Sequence, residues 1–192
     1  MNAAERIVKA VQGAESGSHS RADALRAVTP EDLGEVLFAS VGDHGAQVLC
    51  SGIAASPGAG VGRLCLSVDA VLDVVDAGEE AVMVAMETGP EDEPAMRWSA
   101  GIVTAHGGLA SHAAIYSRGM AIPAVCGIDG LVVEDGGIRV GDTFVAEGDV
   151  LTVDGSSGEV VVGGLAVEAA EAPPELDVLL SWADEIRAGK VG

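Results

Sequence analysis

The chain has 192 residues, enough for one domain of ordinary size with some appended helices. Ten Lys and Arg against thirty Asp and Glu give a formal charge of −20, which argues against a polyanionic partner such as DNA, RNA or an acidic lipid surface. Apolar residues make up 48% of the chain, yet only two Trp, two Phe and one Tyr are among them, so Val, Ala, Leu and Ile must fill the core.

The N-terminal third reads as helical. Over Ala3–Val11 the apolar residues Ala3, Ala4, Ile7, Val8 and Val11 recur at three and four, and the polar run 13–20 is expected to break the helix. Ser20 is placed to cap a second helix over 20–28. Thr29, Pro30, Glu31 and Asp32 supply a cap, a first-turn proline and first-turn acids for a third. After about Gly42 the texture changes to short β-branched runs, predicting strands over 61–68, 81–86, 101–104, 123–126, 143–146, 150–153 and 159–162. Helices are expected over 68–77, 90–99 and 111–118. Turn chemistry at Gly148–Asp149 and over 154–158 predicts antiparallel β structure across 138–163. Residues 169–174 read as a linker, and 176–188 as a closing amphipathic helix with Leu176, Leu179, Leu180, Ala183 and Ile186 on one stripe. The organisation expected is therefore a helical linker segment over 1–48, an α/β domain over 49–168, and a linker with C-terminal helix over 169–192.

Cys50, Cys65 and Cys126 show neither zinc-site spacing nor an even disulfide set. Residues 1–17 carry charge throughout, unlike a signal peptide, and no run approaches the ~20 apolar residues of a membrane helix. A reduced, soluble, cytoplasmic protein without metal ligands is the expectation. His19, in a Ser/Gly loop, and His44, in a Gly/Asp turn, read as surface residues. His106 and His112 lie in GIVTAHGGLASHAAIYSRGMAIPAVCG (101–127), which reads as a strand ending at Thr104, a turn at Gly107 and Gly108, and a helix opening near Ser111. A first-turn histidine sits among unpaired N–H groups at the positive end of the helix dipole, where an anion is stabilised and a neutral ring nitrogen is free to attack. Spacing alone leaves the alternative of a capping turn with an incidental histidine.

The ordered run THGG-like turn, SHAAI, arginine and IPAVCG resembles the phosphohistidine signature of the phosphoenolpyruvate-utilising enzymes. GIAASPGAGVG (52–62) is similar to the opening of that family's mobile domain. ETGPEDEPAMRWSAGIVTAHGG (87–108), VTPEDL (28–33) and SWADEIRAGKV (181–191) resemble the pyruvate, phosphate dikinase branch. The resemblance implies a swivelling β/β/α domain flanked by short linker helices, with His112 as a phosphoryl carrier modified on Nε2. It implies an ATP-grasp nucleotide domain holding ATP and Mg²⁺ as donor, and a Mg²⁺-containing barrel for phosphoenolpyruvate or pyruvate as acceptor. No cofactor is expected on this domain itself. Thr88 matches the family's candidate for orienting the imidazole, and locally it also reads as a helix cap. Gly107, Gly108 and the N–H groups from Ser111 to Ala113 would supply the phosphate cradle. Arg118 is offered either to phosphate or to the helix C-terminus. His106 stands where dikinases carry arginine, as a relay or a plain surface group. Ala110 replaces the threonine that plant dikinases use as an off-switch, and Tyr116 and Ser117 are expected to alter packing only.

GAGVG (58–62) lacks the Lys-Ser/Thr of a P-loop and reads as a turn entering a strand. Neither an ATP-grasp domain nor a barrel is legible, so the chain is expected not to complete a catalytic cycle alone, whether it is an excised piece, a stand-alone carrier with another acceptor, or a scaffold that kept the fold. The acidic surface suits steering toward basic phosphate-binding clefts. Packing of the terminal helices on the domain or on a second copy, hence a homodimer, is left open.

Overall fold

A computed structural model describes residues 1–42 and 45–189; His44 lies outside the described residues. These residues form two compact units, one of residues 1–38 with 169–189 and one of residues 39–42 with 45–168.

The first unit is helical. Ala3–Glu15, Arg21–Ala27 and Pro30–Leu37 open on Asn2, Ser20 and Thr29, each closing a reciprocal capping box with the acid three residues on. The first helix runs through Gly13 instead of breaking there. The His19 ring lies where a Gly13 Cβ would project, and its Nε2 hydrogen-bonds the Ala10 carbonyl at 2.9 Å, so His19 is half-buried structure and not a surface loop residue. The closing helix Glu175–Arg187 buries Leu176, Leu179 and Trp182, while Leu180 is exposed, a rotation of the expected stripe. Trp182 decides it: the indole packs with Ala10, Val11 and Ala24, and Arg21 covers its ring at 5.1 Å. Leu176 joins Ala3, Ile7 and Val36. The chain's terminal helices thus find their apolar partners in each other.

The second unit has three layers. Its central eight-stranded sheet runs, edge to edge, Val48–Ser51, Glu159–Val162, Val150–Asp154, Ala59–Cys65, Ala81–Ala85, Ser99–Thr104, Ala124–Cys126 and Ile53–Ser56. The four consecutive strands from Ala59–Cys65 to Ala124–Cys126 pair in parallel, and the remaining pairs are antiparallel. Each parallel step is bridged by a helical crossover: Val68–Asp76, the turn Pro90–Asp92 with Glu93–Met96, and His112–Met120. Side chains alternate between the two faces. Ala81, Met83, Ile102, Ala124 and Cys126 join Val71, Met96 and Ala114 on the helical side. Val82, Val84, Val103 and Val125 join Leu131, Ile138 and Val145 on the other. Those last three come from the three-stranded antiparallel sheet Leu131–Glu134, Gly137–Val140 and Thr143–Ala146. The unit is therefore the expected β/β/α architecture.

Local departures have local causes. The strand expected over 61–68 stops at Cys65 because Ser67 caps the next helix, its side chain accepting from the Ala70 N–H. The helix expected over 90–99 is split, since Pro94 brings no N–H to the turn below it. The antiparallel stretch 138–163 is divided between both sheets at Gly148. Strands Val48–Ser51, Ile53–Ser56 and Leu131–Glu134 and the short pair Ser40–Val41 with Val167–Glu168 were not anticipated. No helix among the described residues is long and apolar enough to cross a membrane.

Candidate functional site

Strands Ala81–Ala85 and Ser99–Thr104 are parallel neighbours with Ala85 opposite Thr104, so the loops leaving their C-terminal ends emerge side by side. Ends of parallel strands are where such sheets present their sites. The Ala105 and His106 N–H groups donate to the carbonyls of Ala85 (3.1 Å) and Met86 (2.8 Å), stitching the two loops together. The first loop carries Thr88 and the second leads to His112.

The second loop owes its shape to glycine at particular points. Gly107 sits at φ 115°, and a Cβ there would meet the Ser111 Cβ at 2.8 Å. Gly127, at φ 66°, backs it so closely that a Cβ would lie 2.6 Å from the Gly107 carbonyl oxygen. Gly108 has open space around it. Ser111 then caps the helix His112–Met120, its hydroxyl accepting from the Ala114 N–H at 3.3 Å. The first-turn N–H groups of His112 and Ala113 have no acceptor within the helix and point toward its N-terminal end.

The His112 side chain is 28% exposed. Its Nδ1 lies 3.2 Å from Thr88 Oγ1, and its Nε2 lies 3.4 Å from Glu93 Oε1. The Tyr116 ring stacks at 6.0 Å and 27° on the imidazole, and its hydroxyl donates to the Glu93 backbone carbonyl at 3.4 Å. Thr88 is not the cap of the turn that follows: Gly89 holds that position, its N–H donating to Asp92 Oδ2 at 2.8 Å. Arg118 reaches back along its helix and donates to the carbonyls of Ala55 (2.8 Å) and Leu109, so its guanidinium braces the loop preceding His112. His106 is exposed, and among the described residues no hydrogen bond joins its ring to His112.

Thr88, His112 and the glycine turn are thus brought to one place. Sequence reasoning missed three neighbours. Tyr116, expected to alter packing only, packs against the imidazole ring itself. The four-residue spacing from His112, which puts both on one helix face, was the available signal. Glu93 is brought to Nε2 from a separate crossover, and Gly127 supports Gly107 from beyond the next strand; neither has a local signature.

Residues 77–158 match the family described as PEP-utilising enzyme, mobile domain, a span containing Thr88, Glu93, the glycine turn and His112. Pyruvate, phosphate dikinase 2 of Oryza sativa subsp. japonica is 36% identical over 187 residues, 95% of this chain and 21% of the rice protein. The pyruvate, phosphate dikinase of Rhizobium meliloti (strain 1021) is 34% identical over 181 residues, 93% of this chain and 20% of its own. A solution structure of Enzyme I overlaps 58% of this chain and 38% of its own at 26% identity, with a TM-score of 0.32. The chain spans about a fifth of the length of the dikinases it matches. With the family match lying over the paired loops and dikinase similarity running nearly end to end, residues 77–158 of this chain are a mobile domain of the phosphoenolpyruvate-utilising enzymes.

Proposed function

We propose that this chain is a cytoplasmic phosphoryl carrier of dikinase type, with His112 Nε2 as the atom that takes and gives the phosphoryl group. The observation that carries the reading is the bond between Thr88 Oγ1 and His112 Nδ1, which aims the ring from the helix N-terminus with Nε2 on the side away from the threonine. When Nδ1 holds its proton against Thr88, Nε2 keeps a lone pair for attack on phosphorus. The N–P bond forms as the P–O bond of the donor breaks and the nucleotide departs with the electron pair. In the second step an oxygen of the acceptor attacks phosphorus and the N–P bond breaks, restoring the ring. The N–H groups of His112 and Ala113, with the turn Gly107–Gly108 and Ser111, would cradle the phosphoryl oxygens. Arg118 contributes by holding that turn.

The donor in this reading is an ATP-grasp nucleotide domain carrying ATP and Mg²⁺, and the acceptor is pyruvate on a Mg²⁺-containing barrel, with phosphoenolpyruvate charging His112 in reverse. The similarity of this chain to about a fifth of each dikinase supports a carrier that depends on other domains for both half-reactions.

The test incubates the chain with a dikinase-type ATP-binding fragment, ATP and phosphate, and records intact mass under alkaline conditions, where phosphohistidine survives. Gain of one phosphoryl group, absent in His112→Ala and lost on acid treatment, is expected. No gain from that donor, nor from phosphoenolpyruvate with a barrel fragment, would leave an interaction module that kept the fold.

A further inference from the structure

Glu93 touches the nitrogen that the carrier reading requires to be bare. A carboxylate only accepts hydrogen bonds, so a bond between Glu93 Oε1 and Nε2 requires the proton to sit on Nε2. Nδ1 can then accept a hydrogen bond from the Thr88 hydroxyl, since a threonine hydroxyl both donates and accepts. Two arrangements of one proton are thus available: on Nε2 facing Glu93, or on Nδ1 facing Thr88. Only the second leaves a lone pair on Nε2. We infer that Glu93 is a latch on His112, holding the ring in the Nε2–H tautomer until the carboxylate is withdrawn.

The surroundings permit withdrawal. The contact is long at 3.4 Å, and the Glu93 side chain is 47% exposed. Arg97 lies four residues on, joined by the Arg97 N–H donating to the Glu93 carbonyl at 3.0 Å, the spacing and order in which Glu and Arg side chains pair on a helix. Pro90, Glu93, Pro94, Arg97 and Tyr116 line a shallow cavity of about 290 Å³ into which the carboxylate can turn. Tyr116 meanwhile holds the Glu93 backbone, so the side chain can move without the crossover moving. A phosphoryl group on Nε2 would also repel the carboxylate, so the charged carrier is necessarily unlatched.

The inference rests on the carrier reading for its purpose, but its test needs no partner domain. Long-range ¹H–¹⁵N spectra of the full chain in alkaline buffer report which ring nitrogen of His112 holds the proton. Wild type is expected to be Nε2-protonated, Glu93→Ala to gain the Nδ1–H form, and Glu93→Gln, which keeps an accepting oxygen, to resemble wild type. Labelling by phosphoramidate, in which the reagent's P–N bond breaks, ammonia leaves and the Nε2–P bond forms, gives a second readout. Glu93→Ala should label about threefold faster than wild type, the factor an exposed charged contact is worth, with Glu93→Gln and the control Glu91→Ala near wild type. An unchanged tautomer in Glu93→Ala overturns the latch, and so does equal acceleration in all three variants, which would report general charge repulsion. Failure of ATP-dependent labelling with a responsive tautomer would remove the carrier reading and leave the latch.

Discussion

The threonine–histidine pair sets the expectations at the residue scale. Thr88→Val keeps the shape of the side chain and removes the group bonded to Nδ1. In the carrier reading, phosphorylation of His112 should slow by about tenfold, the rate equivalent of one hydrogen bond to a partly buried ring, while the melting temperature stays close to wild type. Intact-mass time courses and a thermal melt separate the two. A second expectation concerns Ala121, which ends the His112–Met120 helix at φ 55°, a left-handed conformation that costs any residue with a Cβ. Ala121→Gly should stabilise the protein by about 0.5–1 kcal/mol, read as a higher denaturant midpoint with unchanged slope. The half-buried Cys50 and buried Cys65 carry no redox expectation: loss of solvent pushes both thiols up to about 11, so they are protonated at neutral pH.

Backbone approach and caps decide stability at the scale of elements. Gly60 lies where strand Ala59–Cys65 passes the Ala100 carbonyl, and a Cβ there would sit 1.9 Å from that oxygen. Neither partner is the end of a flexible side chain, so Gly60→Ala should cost about 2–3 kcal/mol, measurable by chemical denaturation. In the helical unit, Asp32 is buried and accepts from Arg6 Nε at 2.6 Å and from the Thr29 N–H at 3.0 Å. The Arg6 hydrogen bond first, then that of Thr29, hold its carboxyl below the ordinary carboxylate range. A depressed carboxylate contributes stability that is fully present above the ordinary range and is lost as pH falls through the folded value. Helical ellipticity should therefore melt at lower temperature in acid. Asp32→Asn should already melt lower at neutral pH and lose less than wild type on acidification. Equal acid sensitivity in the two would show that other carboxylates carry the effect.

For the molecule as a whole, the division into two units makes a prediction about folding. Residues 39–168 contain both faces of the eight-stranded sheet and the two cores that cover them, none of which draws on the terminal helices. An excised 39–168 segment should fold by itself, with a cooperative melt and the same His112 tautomer as the full chain. An uncooperative melt would show that the helical unit is needed to complete the sheet domain. In the carrier reading, the formal charge of −20 steers the chain toward basic phosphate-binding clefts of its donor and acceptor, so labelling should slow as salt rises.

Elements whose signal is local were legible from the chain. Ser20 as a cap, Thr29 with its first-turn proline and acids, Thr104 as a strand end and a helix opening near Ser111 are choices made within a few residues, where propensity and hydrogen-bonding chemistry act directly. The ordered motif around His112 carried the family in the same way. The edge strand Ile53–Ser56, rich in alanine, gains its place only by pairing with Ala124–Cys126, and Leu180 faces solvent only because Trp182 fills the core beside it. The site divides along the same line. His112 and its glycine turn were readable because they are contiguous, whereas Glu93 meets Nε2 only because two parallel strands set their crossovers side by side. A side chain's chemistry belongs to the sequence, but which other side chain it meets is fixed by strand order and register, and those are settled by burial over the whole sheet.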